Sequence, residues 1–169
     1  MEARLIGGTE LVASLGAFGP RLHARLVKTM TRETIRLQRH VKAEHLSGQT
    51  LRNRTGHLRA SIGQSLVTIG AEGASPEIVG KVGIFKGPTV IYGRAHEFGF
   101  DDIVRVRGHT RTVKQAFGQP ILPVEALVRP HTRHMKLPVR SFLRTSLAER
   151  QPEIEAALDR AVAETVASV

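Results

Sequence analysis

From Ile103 the chain alternates residue by residue: Arg105, Arg107, His109 and Arg111 fall on one parity, Val104, Val106, Thr110 and Thr112 on the other. A period of two belongs to a β-strand, whose successive side chains point to opposite faces. The hexamer at the centre, VRGHTR at 106–111, returns as VRPHTR at 128–133, where Arg129, His131 and Arg133 alternate with Val128 and Thr132. Between the copies lies VKQAFGQPILPVEAL, with turn signals around Gly118-Gln119-Pro120. The economical reading is a long β-hairpin, or a strand–loop–strand, over about 103–137 with one strongly basic face. A dozen strand residues reach about 40 Å. Symmetric pairing of the copies would set like charges opposite each other, a cost relieved by an acidic covering surface. Both copies therefore point to an interface rather than a core. Metal binding, catalysis, nucleic acid and a paired structural arm are the uses to weigh.

The remaining sequence must supply the body from which such an arm projects. Residues from about Pro20 to His45 read as one helix of roughly 39 Å, with Gly19-Pro20 at its start. Leu22, Leu26, Met30, Leu37 and Val41 share one face at helical spacing. Arg21, Arg25, Lys28, Arg32, Arg36, Arg39 and Lys42 occupy the opposite sector, roughly 120° wide. The apolar face needs a sheet or a second helix to cover it. The basic face has almost no acids at i,i+4, so its self-repulsion favours a negative partner, an acidic neighbour or DNA, unless it is simply solvated.

RTGHLRASI at 54–62 predicts a helical turn capped by Thr55, with Leu58 and Ile62 inward. SLVTIGA and EIVGKVGIF predict two strands around a turn at Glu72–Pro76. GPTVIYGRAHEFGF predicts a loop and a short helix stopping at Gly99. Near the end, Leu143 and Leu147 stand at i,i+4, and Pro152 starts or kinks a second segment. That segment carries Ile154, Leu158, Val162 and Val166, with Glu153 and Glu155 in its first turn. The order predicts an α+β fold: a small, mainly antiparallel sheet flanked by a long N-terminal and a C-terminal helix, with the hairpin inserted. At 169 residues this is a single domain, 1–169, large enough to bury a core.

Composition narrows the chemistry. A net charge of +10 implies an anionic partner. Residues 20–60 hold ten Arg/Lys against Glu33 and Glu44, whereas 149–169 hold five Asp/Glu against Arg150 and Arg160. The two ends can neutralise each other within one chain or join copies plus to minus. With no cysteine there is no disulfide and no thiol nucleophile. No apolar run approaches a membrane span, and Glu2, Arg4 and Glu10 interrupt the N-terminal apolar stretch, so neither membrane contact nor a signal peptide is expected. His109, His131 and His134 invite a metal, but the arginines around them repel one, so no metal or cofactor is expected. His96 and Glu97 are adjacent and diverge by about 100° on a helix, so a catalytic pair is disfavoured against a Glu97–Arg pair holding a turn. GIFKGPT lacks the spacing of a phosphate loop, and no enzyme motif is present. One Tyr, six Phe and no Trp leave few stacking platforms for single strands or RNA. Non-specific, salt-labile phosphate contact survives.

Three separated motifs, RTGHLRASI (54–62), YGRAHEFG (92–99) and LPVRSFLRTSL (137–147), together resemble landmarks of the tail-completion and head–tail joining proteins of long-tailed bacteriophages, prophages and gene transfer agents. The resemblance covers roughly 20–165 and extends to a His-Thr-Arg-bearing insertion between the second and third motifs. Arg54, Gly93, Ser141 and Thr145 depart from the family's usual residues. The resemblance implies a non-enzymatic structural protein forming a ring, taken as a hexamer, in the virion neck, assembled in the host cytoplasm. Its partners would be the capsid connector, adaptor or stopper ring, the tail terminator or tail tube, and DNA passing non-specifically through the lumen. It implies packing roles for Leu58, Ile62, Tyr92, Phe98, Phe142 and Leu143. Arg59, Arg140 and Arg144 would bond carbonyls or acids, and Glu97 and Gly99 would keep the second motif's turn. Arg105, Arg107, His109, Arg111, Arg129, His131 and Arg133 would then form an inter-subunit arm. The alternative is a stand-alone non-specific DNA-binding or DNA-packaging accessory protein.

Overall fold

The computed structural model describes residues 8–52, 55–69 and 77–168. Helix α1 runs Gly8–His40, passing through Pro20 where the sequence predicts a start. A proline costs a helix interior about 3 kcal/mol, and this long helix accepts it. At the other end the winding changes at His40 rather than continuing to His45. Wider π turns follow over Val41–Gln49, with Gly48 at φ 141. The expected two-sidedness is present. Leu22, Leu26, Met30 and Leu37 are half-buried and Val41 is buried, while Arg21, Arg25, Lys28, Arg32, Arg36 and Arg39 are exposed and Lys42 half-buried.

A short helix α2, His57–Ser61, leads into strand β1, Gly63–Ile69, which pairs antiparallel with β2, Glu77–Gly83. Thr55 does not cap α2. The N-cap is Gly56 at φ 76, a left-handed geometry glycine adopts without steric cost. The turn expected at 72–76 lies outside the described residues. Helix α1 crosses β2 at Gly80, where a Cβ would stand 2.5 Å from Thr34 Oγ1 and 3.2 Å from Met30 Cε. Only a residue without a side chain lets helix and strand approach so closely. Helix α3, Thr89–Phe98, stops at Gly99, φ 79, as its sequence predicts.

Four strands then form a two-stranded ribbon. Its base pairs β3, Phe100–Val106, with β6, His131–Leu137; its outer part pairs β4, His109–Ala116, with β5, Gln119–Val128. The hairpin loop is Phe117-Gly118, at φ 51 and φ 80, one residue before the turn expected around Gly118-Gln119-Pro120. Two successive positive φ values suit the right-handed twist of the flanking strands.

Helix α4, Leu143–Val166, is continuous through Pro152 instead of dividing there. It lies antiparallel on α1, since Glu164 meets Arg25 and Glu149 meets His40. Its buried face is Ser146, Ala157, Ala161 and Thr165. The larger residues of this segment are less covered: Ile154 and Leu158 are half-buried, whereas Val162 and Val166 are exposed. Small side chains let two helices approach, so they take the contact line. Glu153 and Glu155 accordingly sit in mid-helix, with no N-terminus to favour them. The core is Val41, Leu46, Leu51, Ile62 and Phe142, with Leu58, Val82, Ile84 and Leu143 packed against it.

Candidate functional site

The doubled hexamer turns out to be a joint. The copies lie across from each other in the ribbon, Val106 opposite His131 and His109 opposite Val128. The ladder lapses between those pairs, at 107–108 and 129–130. Each copy closes the gap alike. The Nδ1–H of His109 donates to the Arg107 carbonyl at 3.0 Å, and that of His131 to the Arg129 carbonyl at 2.9 Å. The two hexamers touch at the one position where they differ. A Cβ on Gly108 would stand 3.2 Å from Pro130 Cδ, so the proline ring of one copy lies over the glycine of the other.

The register corrects the expectation of one basic face. Directly opposed residues of an antiparallel pair share a face. Arg105 opposes Thr132, Arg133 opposes Val104 and Arg111 opposes Ala126. Like charges are thereby kept out of direct opposition, and cations occur on both faces of the base. Acids also enter there: Asp101 bonds His134 Nε2 at 2.6 Å and pairs with Lys136 at 3.4 Å. Among the described residues, the ribbon histidines His109, His131 and His134 do not converge on a common point. The outer half instead exposes apolar side chains, Phe117 wholly, with Leu122, Leu127 and Val124 more than half exposed.

The second and third sequence motifs meet at Glu97, which is buried. Helix α4 has no side-chain cap at Phe142, and the Glu97 carboxylate from α3 takes that role. One oxygen accepts the Phe142 and Leu143 amides, both at 2.9 Å. The other accepts the Ser141 hydroxyl at 2.5 Å and the Arg144 amide at 3.1 Å, with Arg144 Nε at 3.3 Å. A carboxylate at the positive end of a helix dipole is favourably placed. Burial by itself raises the Glu97 pKa, but bonds from the Leu143 amide, the Ser141 hydroxyl and the Arg144 and Phe142 amides outweigh it and hold it below the usual carboxylate range. The expected Glu97–Arg pair is therefore present with Arg144, as part of a larger cap. Both carboxylate oxygens are taken up structurally.

The other motif residues divide. Ile62 and Phe142 are central to the core, and Leu58 and Leu143 pack on it. Tyr92 and Phe98, expected to pack, are exposed at 53% and 62%. Tyr92 sets its ring edge against His96, and the Arg144 guanidinium lies 5.0 Å from the Phe98 ring centre. Both α3 residues flank the junction without entering the core. Arg59 and Arg140 are exposed; the Arg140 amide donates to the His96 carbonyl at 2.7 Å. His96 is buried, and burial followed by the nearby Arg140 charge lowers its pKa, both disfavouring the charged imidazolium.

Along α1 the acidic C-terminal helix folds back on the basic face within one chain. Arg25 meets Glu164 at 3.4 Å. Buried Glu33 is held by Arg36 at 2.8 Å, Arg32 at 3.5 Å and Arg150 from α4 at 3.8 Å. Among the described residues, Arg21, Lys28, Arg39 and Lys42 make no salt bridge, so part of the cationic face stays uncompensated.

One cluster was not anticipated from the sequence. His40 Nε2 and His45 Nε2 both reach Glu149 Oε2, at 2.8 and 2.9 Å, and His45 Nδ1 bonds Thr50 Oγ1 at 2.8 Å. Bonds from His40 and then His45 lower the Glu149 pKa. The sequence signal, two histidines five apart, points to divergence on an α-helix, and Glu149 is over a hundred residues away. Comparison with family models, curated proteins and solved structures finds no match for this chain.

Proposed function

We propose that this chain is a non-enzymatic assembly protein of a long-tailed bacteriophage neck or a related particle, working as a subunit of a ring. The observation that carries the reading is the ribbon 100–137. An isolated two-stranded hairpin is marginal in water, and this one presents Phe117, Leu122 and Leu127 to solvent instead of packing them on its own core. A partner surface of the usual size, about 800 Å² a side, is what such a projection lacks. Closed rings require one surface of a subunit to meet a different surface of the next, and a projecting ribbon with a separate helical body has two unlike surfaces to offer. The ordered motif trio supports the phage assignment, and its second and third members build one junction around Glu97.

Capsid connector or stopper on one side and tail terminator or tube on the other are the neighbours this reading supplies, with DNA in the lumen. Replacing residues 104–134 by a short linker is the test. The reading expects a folded protein that no longer supports joining, measured as the yield of tailed particles in a complementation assay. Normal particle yield rejects it.

A second reading, a stand-alone DNA-binding accessory, is favoured by the exposed cations of α1. Binding of the purified chain to duplex DNA, titrated with salt, separates the two. A dedicated binder holds DNA near physiological salt, whereas a ring subunit shows weak affinity that salt abolishes.

A further inference from the structure

We infer that His40, His45 and Glu149 form a binding site for a divalent transition metal of the zinc class, clasping α1 to α4. Nothing in the proposed assembly role calls for this cluster.

The donor atoms of the three side chains all lie within 4.8 Å of one another. Two imidazoles and a carboxylate are a donor set that zinc and its neighbours accept, with a fourth position left for water. The π turns are what make the site. Residues five apart on an α-helix differ by about 140° in direction, so His40 and His45 would point apart. The i→i+5 winding that starts at Val41 brings them one above the other.

The surroundings are those of a metal ligand set. His45 is buried at 1% exposure, and its second ring nitrogen is held by Thr50 Oγ1, the outer contact that orients a ligating histidine. The His40 and His45 rings stand edge to face with centres 5.6 Å apart, so they do not stack and both Nε2 atoms face Glu149. Glu149 is 42% exposed and His40 23%, which leaves an open side for the ion to enter. Donors around a tetrahedral zinc lie about 3.3 Å apart given bonds of about 2.0 Å. The two Nε2–Oε2 distances of 2.8 and 2.9 Å must open by about half an ångström, and the two imidazole nitrogens, within 4.8 Å of each other, must settle at the same spacing. The cationic repulsion that disfavours the ribbon histidines is offset here by the carboxylate itself.

Calorimetric titration of the chelator-treated full chain with zinc chloride tests the site, with cobalt(II) absorption reporting geometry. The expected result is one equivalent bound, visible cobalt bands of a low-coordinate site with nitrogen and oxygen donors, and a rise of several degrees in the melting temperature. His40→Ala and Glu149→Gln, both at partly exposed positions, should abolish binding while circular dichroism stays unchanged. Thr50→Val should weaken it by about tenfold. His109→Ala combined with His131→Ala should leave it intact. No binding by the wild-type chain, or binding that survives both His40→Ala and Glu149→Gln, or binding lost only with the ribbon histidines, overturns the assignment. None of these outcomes depends on the chain's role in a particle.

Discussion

The Glu97 junction and the outer ribbon are built by opposite rules. At the junction a single carboxylate draws in the first turn of α4, and its oxygens are fully used by amides, a hydroxyl and a guanidinium. In the ribbon, apolar and basic side chains stand in solvent on both faces, and the backbone ladder has a built-in gap with matched histidines on either side. A protein that closes its polar accounts so tightly in one place has the means to do so elsewhere. The difference separates a region that holds shape from one that, on the proposed reading, meets another surface.

The largest effect is expected at the junction. Glu97→Ala leaves the Phe142, Leu143 and Arg144 amides without their acceptor, which should cost about 3–5 kcal/mol in chemical denaturation. The pH dependence has a definite sign. Because the folded pKa lies below the ordinary 4.5, the fold binds fewer protons here than the unfolded chain. The carboxylate's contribution is complete above about pH 4.5 and is lost as the pH falls through the lower, folded value. Denaturation midpoints of wild type and Glu97→Gln should accordingly converge on acidification. A constant gap would show that the charge is not what holds α4.

Next comes the crossing of α1 on β2. Gly80→Val must displace Thr34 or Met30 and should cost about 1–3 kcal/mol, read as a lowered melting temperature. The ribbon should behave otherwise. Phe117→Asp with Leu122→Asp should change stability by less than about 0.5 kcal/mol while abolishing particle joining. Loss of stability at the ribbon tip equal to that at Gly80 would erase the contrast between the two regions.

The smallest effect on folding is expected on α1. Reversing Arg21, Lys28 and Arg39 to Glu breaks no salt bridge among the described residues. The monomer should therefore keep its melting temperature within a degree or two while losing salt-sensitive retention on duplex DNA. Arg32 and Arg36 are poorer probes, because both hold Glu33.

Much of this architecture was legible because it rests on periodicity. Alternation marked the ribbon, 3.6-residue spacing marked the faces of α1, and Gly99 marked the end of α3. What escaped has physical reasons. Local punctuation misled at Pro20 and Pro152, both of them exposed residues through which the helices run on. In α4 the contact line falls on Ala157, Ala161 and Thr165, small residues that the spacing of Ile154, Leu158, Val162 and Val166 does not mark. Parity alone could not give the ribbon's faces, since they depend on which residue opposes which. The His40–His45–Glu149 cluster was hidden by the change of winding at His40, and the Glu97 cap by a partner helix more than forty residues on.

The central claim is that residues 109–128 exist to be covered by another subunit or ring. A cryo-electron microscopy map of the assembled particle at side-chain resolution addresses it directly. The account predicts Phe117, Leu122 and Leu127 buried against a neighbouring chain, with the ribbon continuing past the joint into that contact. The same three side chains found in open solvent in every copy would contradict it.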